Sequence, residues 1–193
     1  MVLIVVRHGR TQANATGLLL GRRLDPDLDE LGLRQARAVA DAIEGAARVV
    51  TSPLQRARQT AAAFGLPVTV DERWIEIDYG ALDGTPLAEV PASTWDEWRA
   101  DLAFVPGGGE SLQAMGERVR SACEELRDEA SDHDVVVVTH VSPIKAAVAW
   151  ALGVSDDISW RMFCRPASMT EIATAGPRPS LWSFNVTSHL DGM

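Results

Sequence analysis

Five consecutive apolar residues, Val2 to Val6, run without polar alternation into Arg7, His8 and Gly9. An unbroken run of this kind, rich in β-branched side chains, reads as a strand of a parallel sheet buried on both faces. It commits the chain to an open α/β architecture, in which ligands sit beyond the carboxyl ends of the strands. A cation, an imidazole and a flexible glycine stand at that position. Two further runs end alike: residues 48–52, R-V-V-T-S, lead into P-L-Q-R-A-R, and residues 135–140, V-V-V-V-T-H, lead into V-S-P-I-K. In both, Ser-Pro supplies an N-cap and N1 pair for a helix, which puts Arg56 in one opening turn and His140 just before the other. A lone His after a strand is more often a satisfied loop residue. Three such strand ends side by side would gather Arg7, His8, Arg56 and His140 beside two helix N-termini, a place that favours phosphate.

The rest of the chain reads as the frame for those ends. Residues 12–28 read as a loop with Asn14, Gly21, Arg22 and Arg23 available to line a pocket, the two arginines being equally well read as solvated charges. A helix beginning at Asp29 shares Ala36, Val39, Ala40 and Ile43 on one face and completes a βαβ unit. A helix over 53–64 and a strand Val68–Val70 follow. Residues 71–83 carry five acids with no clean period and read as an ordered loop. Carboxylates beside an anion site make sense if one is protonated and donates its proton to the substrate. Residues 93–103 form a short helix in which Trp95 and Trp98 are packing residues. P-G-G-G-E-S at 106–111 is a turn, lacking the Lys of a phosphate-binding P-loop. Leu112, Met115, Val119, Cys123 and Leu126 stripe an amphipathic helix over 112–127. Val135–Val138 is a buried strand, and the helix after it runs to Leu152, closed by Gly153. Strands 168–174 and 180–186 extend the sheet at its edge and carry no identifiable chemistry. The expected fold is α/β: three αβα layers, a mostly parallel central sheet, and an edge strand or hairpin from the C-terminal region.

At 193 residues the chain is expected to be a single domain, 1–193. The opening apolar run is too short for a membrane span and has no basic region ahead of it, so a cytoplasmic location is expected. Cys123 and Cys164 have no metal-ligand spacing and are expected as reduced thiols. A net charge of −9 argues against nucleic acid or an anionic membrane as partner. The distribution is uneven: residues 1–58, which hold the proposed anion site, balance at +3 and the remainder at −12. Lys145, the single lysine among seventeen arginines, is assigned no chemistry.

The blocks R-H-G-R-T-Q-A-N (7–14), G-R-R-L-D-P-D-L-D-E-L-G-L-R-Q-A (21–36), S-P-L-Q-R-A-R-Q-T-A (52–61), W-I-E-I-D-Y-G-A-L-D-G (74–84), P-G-G-G-E-S and V-V-T-H-V-S-P follow one another over residues 2–143. Together they resemble the histidine phosphatase superfamily, in the branch of phosphoglycerate mutases and bisphosphatase-like or alpha-ribazole-phosphatase-like phosphatases. The resemblance implies that His8 is the phosphorylated nucleophile, that Arg7, Arg56 and His140 grip the phosphoryl oxygens, that Asn14 adds a hydrogen bond, and that Glu76 protonates the leaving oxygen. Arg10, Thr11, Leu20, Gly21, Val141 and Ser142 complete the candidate phosphate- and substrate-binding set. Arg10 stands where many relatives carry Glu. Val141-Ser142 replaces a pair of glycines, so Ser142 offers a hydroxyl as well as its N–H, or simply caps the helix. Trp74 and Leu82 also depart from the pattern, which leaves Asp78 and Asp83 as alternatives to Glu76.

Three functions compete. A mutase of this family carries extra basic residues between the donor and the second His, but from Ile77 to Thr139 the chain has only Arg99, Arg118, Arg120 and Arg127, the last three on the amphipathic helix. Hydrolysis is therefore expected, of a small phosphomonoester with inorganic phosphate as product. A silent phospholigand-binding module is disfavoured because Arg7, His8, Arg56, Glu76 and His140 are all present. A metal hydrolase built on His8 and His140 lacks a third ligand by spacing, so no metal and no cofactor are expected. Sugar phosphates, phosphoglycerate derivatives, nucleotide-like and cobamide-precursor phosphates all stay open as substrates. Five Trp outside the donor loop leave room for a homodimer interface.

Overall fold

The computed structural model describes residues 1–193 and contains six strands, β1 (Val2–Arg7), β2 (Arg48–Thr51), β3 (Val68–Val70), β4 (Val135–Thr139), β5 (Met169–Ala173) and β6 (Ser180–Val186). Six α-helices accompany them: α1 (Gln12–Ala15), α2 (Glu30–Ala42), α3 (Gln55–Ala62), α4 (Ala92–Ala100), α5 (Leu112–Asp132) and α6 (Val141–Leu152). The strands form one sheet in the order β3-β2-β4-β1-β5-β6. The first four are parallel, whereas β5 runs antiparallel to β1 and β6 antiparallel to β5. This is the three-layer fold with a C-terminal hairpin expected from the sequence.

β1 needs apolar residues at every position because each face of the sheet is covered. Val2, Ile4 and Val6 point into a core with Val39 of α2 and Ala57 and Ala61 of α3. Leu3 and Val5 point the other way, among Met115, Val119 and Cys123 of α5 and Ile144 of α6. β4 divides its valines in the same alternation, Val136 and Val138 on the first side, Val135 and Val137 on the second. The registers place Arg7 opposite Thr139 and Thr51 opposite Val138. The carboxyl ends of β1, β4 and β2 are therefore level and adjacent, which brings the three sequence motifs to one edge.

Several boundaries differ from the sequence reading. Residues 12–28 are not all loop: Thr11 and Asn14 close a reciprocal capping box around the one-turn α1. α5 runs to Asp132 rather than to 127, because Ala130 carries the buried stripe one turn further. Neither Ser-Pro pair acts as N-cap and N1. α3 starts only at Gln55, and α6 starts at Val141 with His140 in the cap position and Ser142 and Pro143 already inside the helix. Ser52 pairs with His140 at 2.7 Å and accepts the Leu54 N–H ahead of the helix, while the first-turn N–H of Gln55 goes to Asp25. Trp95, Trp98, Trp150 and Trp160 all pack internally, while Trp182 on β6 is 66% exposed. No helix is long and apolar enough to cross a membrane.

Candidate active site

His8 follows β1 and His140 follows β4, so the strand register sets the two imidazoles side by side, with ring centroids 5.1 Å apart. Both rings are buried. His8 Nδ1 lies 2.7 Å from its neighbour's carbonyl, Gly9 O. A carbonyl only accepts, so this contact holds the proton on Nδ1 and leaves Nε2 with its lone pair, facing the cavity that His8 lines. Thr60 of α3 steadies the turn beneath it, donating its hydroxyl proton to Arg56 O and accepting the Gly9 N–H at 3.0 Å. His140 is oriented by Ser52, whose Oγ also accepts the Leu54 N–H. Of its two partners only His140 Nε2 can accept, so the hydroxyl donates its proton there and the imidazole N–H lies on Nδ1.

That Nδ1 is buried without a hydrogen-bond partner, and so are Nε of Arg7 and Nε of Arg56. Buried donors are rarely left empty-handed, and three of them on His140 and on the two arginines whose charges act on both histidines describe an anion receptor. The other edges of the two guanidinium groups are tied down. Arg7 Nη1 donates to Cys164 O at 2.6 Å, and Arg56 Nη2 to Gly21 O at 2.7 Å, with Nη1 reaching Leu24 O and, at 3.5 Å, Asp25. Burial holds the pKa of His8 well below 6.5, and the charges of Arg56 and then Arg7 push the same way, so its ring is neutral. His140 is depressed likewise, by burial first and Arg56 second.

Glu76 approaches from the acidic loop and is buried. Its Oε1 accepts two backbone N–H groups, from Ile77 at 2.9 Å and from Ser142 in the first turn of α6 at 3.2 Å, which leaves Oε2 to work in the cavity. The backbone of Glu76 is clamped as well. Arg22 Nε donates to Glu76 O at 2.6 Å, and Arg118 reaches the same carbonyl. Both guanidinium groups are locked on Glu110, at 2.5 and 2.9 Å. The glycine turn that carries Glu110 docks backbone to backbone on residues 78–81: Glu110 N–H donates to Asp78 O, and a side chain on Gly80 would meet Gly107 O at 2.1 Å. Asp78 and Asp83 face elsewhere, Asp78 accepting the Gly80 N–H and Asp83 the N–H groups of Gly21 and Arg23.

A cavity of about 330 Å³ opens over these groups. Of the sequence-derived candidates, Arg7, His8, Asn14, Leu20, Glu76, Val141 and Ser142 line it. Arg56 and His140 lie fully buried beneath the floor. Three candidates serve the frame instead. The Arg10 guanidinium turns away to Asp29 at 2.7 Å, Thr11 caps α1, and Gly21 holds Arg56 through its carbonyl. Ser142 gives its N–H to Glu76, and Asn14 spends its amide oxygen on Thr11. The walls are groups that the sequence had marked as packing or passed over. Trp95 and Trp98 stack at 5.6 Å, Trp160 stands edge-on to both, and Tyr79 stands edge-on to Trp98. Trp160, Phe163, Cys164 and Lys145 complete that side. Burial drives the Tyr79 phenol far above its ordinary value, so it stays protonated. No three His, Cys, Asp or Glu side chains are grouped as metal ligands.

A model of the histidine phosphatase superfamily (branch 1) matches residues 3–187. Phosphoserine phosphatase 1 of Hydrogenobacter thermophilus is 35% identical over 200 residues, covering 97% of this chain and 93% of that protein. A bifunctional protein of Mycobacterium tuberculosis is 35% identical over 178 residues, covering 87% of this chain and 49% of the relative, so the chain spans about half the length of that protein. The structure of a mycobacterial glucosyl-3-phosphoglycerate phosphatase in complex with VO3 superposes with a TM-score of 0.86 at 30% identity, covering 96% of this chain and 99% of that one.

Proposed function

Because this chain belongs to branch 1 of the histidine phosphatase superfamily, we propose that it is a phosphomonoesterase for a small phosphorylated metabolite, with residues 1–193 acting as one catalytic domain. The observation that carries this reading is the His8 ring, its Nδ1 held on Gly9 O and its Nε2 free, together with the three unpartnered donors of Arg7, Arg56 and His140. The phosphatases named among its relatives act on phosphoserine and glucosyl-3-phosphoglycerate, which defines the range of compounds to screen first.

In this reading Arg7, Arg56 and His140 hold the three non-bridging oxygens, and Nε2 of His8 attacks phosphorus in line. The P–O bond to the leaving group breaks as the P–N bond forms, and Glu76 in its acid form delivers a proton from Oε2 to the departing oxygen. Glu76, now a carboxylate, takes a proton from water as the water oxygen attacks the phosphohistidine. The P–N bond breaks, inorganic phosphate leaves, and both residues return to their starting states. The chemistry asks mainly for positioning and charge neutralisation, which fixed guanidinium forks supply. No metal enters the cycle, and full activity in excess chelator is expected.

Purified protein mixed with a labelled phosphomonoester and quenched in alkali carries acid-labile label on His8. His8→Ala removes both label and turnover. Glu76→Gln slows turnover of alkyl phosphates, while an aryl phosphate with a good leaving group still phosphorylates His8 and label accumulates. Full activity in the His8 variant would refute the mechanism. A mutase would return the group to a second hydroxyl; release of free phosphate at the rate of substrate consumption separates the two.

A further inference from the structure

Lys145 is the chain's only lysine and stands on the cavity wall one turn into α6. Val141, Ser142 and Lys145 share one face of the helix, at i, i+1 and i+4, and all three line the cavity. The residue is half-buried, and its ammonium, still in contact with solvent, has no hydrogen-bond acceptor or ion pair in the protein; Cys164, Glu76 and Arg7 act on it only at longer range. Burial pushes it below its ordinary value with nothing bonded to it to restore the charge. Cations elsewhere in the frame are treated differently. Arg22, Arg118 and Arg120 each close on a carboxylate at 2.5–2.9 Å. A cation drawn partly out of water without a partner loses solvation that an opposite charge on a ligand restores. Arg7 is the one other cation on the cavity wall without an acid partner, and the phosphoryl group accounts for it.

We infer that Lys145 receives a second anionic group of the substrate, a carboxylate, and that the carbon body between it and the phosphoryl group lies against the indoles of Trp95, Trp98 and Trp160. The inference rests on the phosphatase reading and names the substrate class for it. His8 and Lys145 line the same cavity of about 330 Å³, so an anion at Lys145 and a phosphoryl group at His8 are the two ends of one small ligand, the size of a two- or three-carbon unit. A single compact ammonium balances the one charge of a carboxylate. A second phosphate would bring a larger charge into a wall that already contains Glu76, and the cavity of about 330 Å³ is at the small end for ligand sites.

Two substrate pairs differ only at the group in question: phosphoserine against phosphoethanolamine, and 3-phosphoglycerate against glycerol 3-phosphate. The wild-type enzyme is expected to favour the carboxylate-bearing member of each pair by about tenfold to a hundredfold in kcat/KM, chiefly through KM, as one charge-assisted contact provides. Lys145→Met keeps the apolar stem and removes the charge; it brings the ratio close to one while leaving phosphoethanolamine and p-nitrophenyl phosphate little affected. Lys145→Arg restores part of the preference. No preference in the wild-type enzyme overturns the inference, and so does an equal loss on both members in Lys145→Met, which would place the ammonium on the phosphoryl group. A preference for bisphosphorylated over carboxylated three-carbon compounds also overturns it. The wild-type comparison needs no variant to fold. Hydrolysis of p-nitrophenyl phosphate through phosphohistidine in the same preparations separates failure of this inference from failure of the phosphatase reading.

Discussion

His8 and His140 sit where burial and the charges of Arg56 and Arg7 oppose a further positive charge, so both rings are neutral in the folded protein. In the unfolded chain each takes up a proton as pH falls through about 6.5. Below that value the unfolded state binds more protons than the native one, and folding stability drops as the solution becomes more acidic. Each histidine contributes up to about 1.4 kcal/mol per pH unit until its depressed folded value is reached. Urea unfolding of the phosphate-free protein is therefore expected to show a midpoint falling between pH 7 and 5.5, with a shallower slope in His140→Asn; an unchanged slope would mean the ring is charged in the native state. Arg56→Ala, which removes one phosphoryl donor, is expected to lower kcat/KM by about 10²–10³-fold, the effect of losing one oxyanion donor. The identities of these residues were legible because each follows a strand. Ser52, which sets the tautomer of His140, was misread as a helix cap, since nothing local reveals a partner 88 positions away.

At the scale of elements, the acidic loop and the glycine turn fold as one piece. Gly80 and Gly107 both have positive φ; a side chain on Gly80 would meet Gly107 O, and one on Gly107 would meet Tyr79 O and Ala81 N. Gly80→Ala is expected to lower Tm by several degrees, taking about 1–3 kcal/mol for the strain and overlap and about 2–4 °C per kcal/mol at this size. Glu110→Gln frees Arg22 and Arg118 from their anchor and lets the Glu76 carbonyl shift. A fall in kcat of about tenfold with KM little changed is expected, because the group displaced acts in proton transfer and a small misplacement is costly there. The turn at 106–111 was readable from its glycines, and α5 from its apolar period. That Arg118 leaves the helix surface to hold the donor loop was not, because the 3.6-residue period reports which face is buried and says nothing of what a long polar side chain at its border reaches.

For the molecule as a whole, one sheet carries the site across its middle strands, so an anion at the site ties β1, β2 and β4 together with the loop of Glu76. Inorganic phosphate at about a hundred times its Kd should stabilise the fold by roughly 2.7 kcal/mol, a rise in Tm of about 5–10 °C. Differential scanning calorimetry should give a single transition that moves as one with phosphate. Arg56→Ala should abolish the shift at the same phosphate concentration, and a shift unchanged in that variant would mean phosphate binds elsewhere. The sequence alone determined the layered α/β fold, because strands covered on both faces must be apolar throughout, and it determined the chemical set at their ends. Only the tertiary structure decided which cations face a ligand and which face an acid of the protein. Arg10 was read as a phosphate-binding candidate, Arg22 as a pocket residue or a solvated charge and Lys145 as carrying no chemistry, and their actual fates follow from contacts with Asp29, with Glu110 and with open cavity that no local spacing encodes.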